Sequence, residues 1–200
     1  MLLVLADAEL ELVPELLKEE EEVRKVLKRI GKDNTLLDNY LMGNSIRKKL
    51  PNEAGRIGFP HIAYSFVRLN EESTINDSLK VQYAIHTKQN VIIEQDDFRN
   101  VGPGYSDFTD KVEEILSGRP KSTTLLEYLE GNGILGNTAV LHPKGSTGLV
   151  VNGELNYVIG GFPEGEFNSN LGNMRKFTIY EHEVTVPAIL ELLHFRLFRQ

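Results

Sequence analysis

The sequence predicts an α/β protein with a mainly parallel sheet, and three observations carry that expectation. From residue 138 onward, short apolar runs alternate with glycine-rich loops before a long closing helix, the order expected of parallel strands with ligand loops along one edge. The run Tyr157-Val158-Ile159 is aromatic and β-branched, as buried strands are, and its side chains stop abruptly at Gly160-Gly161. A further apolar run, Leu2-Leu3-Val4-Leu5-Ala6, reads as another buried strand near the start of the chain.

Taken in order, the strand over 2–6 is followed by a helix over 14–30. Its apolar residues Leu16, Leu17, Val23, Val26, Leu27 and Ile30 recur at helical spacing, Pro14 suits the first turn and Gly31 ends it. Leu36-Leu37 leads into Asp38-Asn39-Tyr40, a short helix over 45–50, and a loop with Gly55 and Gly58. Pro60 opens a helix over 62–69. Strands over 79–87 and 91–94 form a hairpin through Lys88-Gln89-Asn90, with Val81, Tyr83 and Ile85 on one face. Because a hairpin interrupts a parallel pattern, it is expected as a small insertion, an accessory lobe over about 70–105. Helices follow over 108–116 and 125–129, then strands over 138–141, 157–159 and 177–180, and a helix over 186–198 with Pro187 in its first turn. No repeat or linker divides the 200 residues, which suit a single domain carrying that lobe.

Composition narrows the function. The apolar fraction suffices for a real core. There is no cysteine, so disulfide and thiolate chemistry are excluded, in keeping with a reducing, cytoplasmic setting. The opening apolar run is too short for a signal core or a membrane span, and acidic residues follow it at once. A net charge of −7 argues mildly against nucleic-acid binding, although charge is segregated: Glu19-Glu20-Glu21-Glu22 reads as a solvated helix face, whereas Arg47-Lys48-Lys49 and Arg56 form a local basic stretch. No Cys/His spacing supports a metal site.

The loop after Ile159 is the most informative stretch. Without Cβ atoms at Gly160 and Gly161, the backbone can turn tightly and a ligand can approach the main chain. Pro163 fixes one dihedral of the loop and Gly165 frees another. Open α/β sheets bind small ligands at such strand ends; a plain strand-to-loop turn is the alternative reading.

Collinear segments then point to a family. The start Met1–Pro14, Leu37-Asp38-Asn39-Tyr40 beside an LDSNY segment, Arg56-Ile57-Gly58-Phe59-Pro60-His61-Ile62 where RGRPDI is expected, Tyr83-Ala84-Ile85-His86-Thr87 beside Y-x-HT, Ile159–Gly165 beside IGGFP-x-G, and Phe177-Thr178-Ile179-Tyr180 beside SIY together resemble the archaeal members of the Nep1/Emg family. These are ribosome-biogenesis methyltransferases acting on N1 of pseudouridine in small-subunit rRNA. The resemblance implies a SPOUT-type fold with a C-terminal trefoil knot, a homodimer, small-subunit rRNA as partner and S-adenosylmethionine as cofactor. It places the cofactor among three loops: near Leu141, over Gly160 to Gly165, and over Ile179, Tyr180, Glu181, His182, Glu183 and Val184.

The RNA-facing half departs from the family pattern. The second arginine of RGRPDI is Phe59 and its aspartate is His61. Of the arginine-rich TRLPRNY-x-R segment, Arg99 and Tyr105 remain as equivalents; Glu72 keeps an acid from LDSPIN, and Val186-Pro187 replaces an AW pair. Each lost arginine removes a possible bidentate phosphate or base contact.

Methyl transfer to N1 of pseudouridine needs alignment of nucleophile, methyl and leaving sulfur, and a group to help remove the N1 proton. Asp38 and Glu72 are the candidate carboxylates, the former equally readable as a helix cap and the latter as a solvated loop residue. Arg56, Arg47 and Arg99 are candidate RNA contacts, with a solvated helix end or a surface ion pair as the ordinary alternatives, and Tyr105 could stack on a base. His86 reads as structural, and His142 lies beside the first cofactor loop. Two other functions stay open: a non-catalytic RNA-binding assembly factor on the same scaffold, and an unrelated α/β enzyme using a nucleotide, although neither G-x-G-x-x-G nor a Walker A sequence is present.

Overall fold

A computed structural model describes residues 1–118 and 120–199. In chain order the elements are β1 (Leu2–Ala8), α1 (Glu15–Lys18), α2 (Glu21–Ile30), α3 (Asn39–Lys49), α4 (Pro60–Glu71), α5 (Thr74–Leu79), β2 (Gln82–Thr87), β3 (Ile92–Glu94), α6 (Tyr105–Ser117), α7 (Leu125–Gly131), β4 (Thr138–Ser146), β5 (Asn156–Gly160), β6 (Arg175–Phe177) and α8 (Val186–Phe198). The strands form one sheet in the order β3-β2-β1-β5-β4-β6. Every neighbouring pair is parallel except β2 with β3.

Alternation along the strands divides the core between the two faces of this sheet. Leu3, Leu5, Tyr83, Ile85, Leu141, Tyr157 and Ile159 face one cluster, which Phe66 of α4, Phe108 of α6 and Leu190 of α8 complete. Val4, Ala6, Val140 and Val158 face the other, closed by Leu125 and Leu129 of α7. Burial on both faces is why the strands read as continuous apolar runs. A third cluster joins α1, α2 and α3 through Leu17, Val23, Met42, Ile46 and Ile57.

The structure corrects several expectations. The β2–β3 hairpin forms, with Asn90 in its turn at φ 59°, but it extends the main sheet: Leu2 to Leu5 pair with Gln82 to Ile85. The apolar face of Tyr83 and Ile85 is buried against the same helices as β1, so residues 82–94 are the edge of the sheet instead of a lobe standing apart from it. The 14–30 helix is two helices, broken where Glu20 adopts an extended backbone and reaches α3 through ion pairs to Lys48 (2.7 Å) and Lys49 (3.3 Å). Glu22 likewise accepts from the backbone N–H (2.8 Å) and hydroxyl (2.9 Å) of Ser45. The acidic run is therefore partly a clasp between helices and not simply a solvated face. Helix α3 starts earlier than expected, capped by Asp38, and kinks at Met42. Residues 74–79 are helical, Ser73 capping Asn76 N–H at 3.2 Å, which delays the strand to Gln82.

The strand expected over 177–180 instead ends at Phe177. Leu141 and Ser146 of β4 both register with Phe177, and a Cβ on Gly145 would lie 2.4 Å from the Phe177 carbonyl carbon. Only a glycine allows main chain to pass main chain so closely, and beyond that passage residues 178–184 leave the sheet as loop.

Candidate functional site

The parallel strands deliver Ala8, Leu141 and Gly160 to the same edge of the sheet, and the loop after Gly160 is tied down there at several points. Gly161 donates to Ala6 O at 2.7 Å, and a Cβ on it would stand 2.8 Å from the Ala8 Cα, so the glycine is required by backbone contact. Asp7, held at φ 54° and 1% exposed, accepts from Asn168 N–H (2.7 Å), Ser169 N–H (2.9 Å) and the Ser169 hydroxyl (2.5 Å). Arg56 pairs with buried Glu9 at 2.7 Å, lies 4.1 Å from the Phe162 ring centre and donates to Glu166 O at 2.8 Å. The Glu166 carboxylate takes a 2.8 Å contact from Lys144 and a 2.6 Å contact from His142. Since Lys144 N–H donates to His142 Nδ1 at 3.0 Å, Nε2 carries the proton toward Glu166. Lys144 and His142 hold the Glu166 carboxyl down at about 2. Behind Arg56, Lys88 bridges Glu9 (3.0 Å) and Glu11 (2.9 Å), so two acids are balanced by two cations; burial nevertheless pushes the Glu11 carboxyl up.

This anchored loop walls a cavity of about 450 Å³ between the first turn of α4 and the entry to α8. Gly160, Phe162 and Pro163 form one side, Glu183 to Pro187 and Ile189 another, and His61, Ile62 and Ser65 the third. A smaller cleft of about 30 Å³ adjoins it, lined by Leu141, His142, Ile179, Tyr180 and His182, and shares Val184 and Ile189 with it. Three separate segments expected to hold a cofactor thus meet at one place. Gly165 and Glu181 are not among the residues lining either space. Gly165 takes φ +95° within the grip of Arg56, where a Cβ would lie 2.9 Å from a guanidinium nitrogen, and Glu181 is exposed.

Beside the cavity, Asp38 is 8% exposed and fully engaged: Oδ1 accepts from Tyr40 N–H at 2.8 Å and Oδ2 from the Tyr105 hydroxyl at 3.0 Å. Burial and the Asp38 charge push the Tyr105 phenol up, so it remains a donor. Tyr64 steadies that segment, its hydroxyl on Pro103 O at 2.9 Å and its ring 5.3 Å from Tyr105. Burial pulls His61 down, opposed by the nearby Asp38 charge. The structure thus unites Asp38, His61 and Tyr105, of which Tyr105 serves as a buried partner of Asp38.

The remaining candidates lie elsewhere. Helix α4 carries 12 residues, roughly 18 Å of rise, from His61 at the cavity to Glu71 at the other end of the sheet. Glu72 is there, ion-paired to Arg68, and is not brought to Asp38. Arg99 is also there: it pairs with Asp96 at 2.8 Å and lines, with Glu71 and Gln82, a separate depression of about 640 Å³. Arg47 is exposed on α3 and donates to Asn44 at 2.9 Å. Arg56 is turned toward Glu9 and the 164–166 segment: Nε donates to the Glu9 carboxylate and Nη1 to Glu166 O, while Nη2 is buried without a hydrogen-bond partner. His86 is buried and bonded to Asn90 at 3.1 Å, as a structural histidine should be. Sequence reading passed over Asp7, Glu9 and Glu166. Asp7 carried a usable signal, an acid directly continuing a run of wholly apolar strand residues. Among the described residues no His/Asp/Glu cluster could hold a metal ion, and no helix is long and apolar enough to cross a membrane.

Fold and site together define an α/β protein with a loop-walled cavity at the carboxyl edge of a mostly parallel sheet, the place where open α/β sheets take small ligands. A family model described as EMG1/NEP1 methyltransferase matches residues 3–193, and the chain belongs to that family. It is similar to the ribosomal RNA small subunit methyltransferase Nep1 of Thermoplasma volcanium, 30% identical over 94% of this chain and 92% of the relative, and to that of Thermoplasma acidophilum, 29% identical over the same shares. A crystal structure of Archaeoglobus fulgidus Nep1 bound to S-adenosylhomocysteine superposes with a TM-score of 0.81 at 20% identity, covering 98% of this chain and 96% of the other, which shows the fold.

Proposed function

We propose that this protein is an S-adenosylmethionine-dependent methyltransferase acting on N1 of a pseudouridine in small-subunit rRNA, with a role in ribosome biogenesis. On this reading one domain spans the chain, its C-terminal backbone is threaded as a trefoil knot, and it works as a homodimer. The observation that carries the reading is the 450 Å³ cavity at the carboxyl edge, a size suited to a nucleoside-type ligand. The donor set fits: main chain at Gly160 beside the Phe162 ring, apolar surface from Val184, Val186 and Ile189 for a base, and the Glu183 carboxylate for hydroxyl or cationic groups. Leu141, Ile179, Tyr180 and His182 extend that grip through the adjoining cleft. When bound, the cofactor supplies an electrophilic methyl on a sulfonium.

The residues of the chain do the rest. Arg56, Asp7 and Glu166 hold the 161–169 loop in place, so the cavity is formed before the ligand arrives. Asp38, fixed by two donors, sets a negative charge near His61 of the cavity wall, where a developing positive charge or a departing proton would be favoured. A target base must leave its stack to reach this point. The replacement of the family's arginine by Phe59 favours, as second reading, an assembly factor that binds cofactor and RNA without turnover.

Titration with S-adenosylhomocysteine by calorimetry, followed by incubation of the protein with S-adenosylmethionine and an RNA hairpin containing a loop pseudouridine, tests both. Binding together with a gain of one methyl group on the hairpin is expected. Binding without transfer supports the assembly factor, and absence of binding overturns the site.

A further inference from the structure

Phe59 and His61, the two positions where charge is replaced by rings, meet in one cluster with Tyr40. The His61 ring centre lies 5.2 Å from Tyr40 and 5.8 Å from Phe59, and Tyr40 and Phe59 are 6.4 Å apart. The rings cross at 52° to 82°, edge-on or tilted, so neither neighbour lies flat against Tyr40. Tyr40 is 76% exposed, yet its backbone is pinned by the 2.8 Å bond from its N–H to Asp38. His61 also lines the 450 Å³ cavity. The cluster therefore runs from open solvent to the cavity wall.

The charges point the same way. Of the basic candidates, Lys48, Lys49, Arg56, Lys88 and Arg99 are engaged in ion pairs with carboxylates of the same chain while Arg47 donates to Asn44, and the net charge is −7. Phosphate contacts through counterion release are a poor source of affinity for such a surface. Aromatic stacking grips an unpaired base without phosphate contacts, because every base offers a π-face whatever its sequence.

We propose that Tyr40, backed by Phe59 and His61, is a stacking platform that receives an unpaired nucleobase of the RNA at the mouth of the cofactor cavity. The proposal rests on the rRNA methyltransferase reading. Tyr40 acts as a positioning residue: it holds the base without touching the reacting atoms.

The test compares wild type with Tyr40→Ala and Tyr40→Phe, each first checked for an unchanged circular dichroism spectrum and S-adenosylhomocysteine affinity. With the pseudouridine hairpin as substrate, Tyr40→Ala is expected to raise KM roughly 10- to 100-fold with little change in kcat, and Tyr40→Phe to restore it to within about threefold, since stacking needs the ring and not the hydroxyl. Wild-type KM in Tyr40→Ala, or a Phe variant as impaired as the Ala variant, overturns the platform. Should wild type bind the cofactor product yet transfer nothing, the methyl-transfer reading fails separately. Quenching of a 2-aminopurine base in a short unpaired RNA then decides the platform alone: quenching lost in Tyr40→Ala supports it, and equal quenching in both proteins overturns it.

Discussion

At Arg56 a single guanidinium joins two segments, through an ion pair to Glu9 and through a ring contact to Phe162 and a carbonyl contact to Glu166 in one loop, and only the Glu9 group carries a charge of its own. Replacing it with alanine leaves Glu9 buried, although Lys88 still neutralises that carboxylate from the other side. Arg56→Ala is accordingly expected to cost about 3 kcal/mol, the low end for breaking a buried pair, and to weaken S-adenosylhomocysteine binding because the loop over the cavity loses its clamp. Urea denaturation and calorimetry read the two effects; full cofactor affinity in a folded variant would restore the sequence expectation of an RNA contact. Gly161 is the sharper case. Its missing Cβ faces main chain at Ala8, which has no rotamer with which to yield. Gly161→Ala is expected to destabilise by about 1–3 kcal/mol in urea, as overpacking does, and a neutral result would mean that β1 and the loop can separate freely.

Among the elements, the 161–171 loop departs most from its sequence appearance. Glycines at 160, 161 and 165 suggest freedom, but Asp7, Arg56 and the His142–Lys144–Glu166 group hold it rigidly. Asp7→Ala removes the acceptor of two backbone N–H groups and one hydroxyl. Amide exchange at Asn168 and Ser169 is expected to speed up by at least about tenfold, the equivalent of one charge-assisted hydrogen bond. Unchanged exchange would show that Arg56 and Glu166 suffice. Asp38 illustrates the opposite: read as a cap or a substrate group, it is in fact a cap whose second oxygen is committed to Tyr105, and the cap leaves the charge in place beside the cavity.

For the molecule as a whole, stability depends on histidines that fold neutral. Burial pulls His86, His61 and His194 below their ordinary value of 6.5. The unfolded chain takes up these protons first as the pH falls, so it binds more protons than the native state below about 6.5 and the protein loses stability there. His86, wholly enclosed, contributes a slope of up to about 1.4 kcal/mol per pH unit. Glu166 behaves differently: its carboxyl is depressed to about 2, so its contribution is present above the ordinary carboxylate value and fades only as the pH falls toward 2. Urea midpoints measured from pH 8 to pH 5 are expected to be flat at first and then to decline below pH 7, with His86→Gln blunting the decline; midpoints that rise on acidification would contradict the assignment.

Local chemistry determined what the sequence could state alone. Apolar alternation, proline entry and glycine exit placed most strands and helices, with the closing helix falling on Val186–Phe198 as expected, and paired glycines marked the loop that walls the 450 Å³ cavity. These are properties of neighbours along the chain, fixed by backbone sterics and the burial of one face. What only the tertiary structure decided involves residues far apart in sequence: the hairpin's place in the sheet, the end of β6 where Gly145 meets Phe177, the capture of Arg56 by Glu9, and the removal of Glu72 and Arg99 to the opposite end of α4. An ion pair between distant residues, such as Arg56 with Glu9, carries no local pattern, because its energy depends on where two charges are buried together, and that is set by the folded sheet and not by the residues beside each charge.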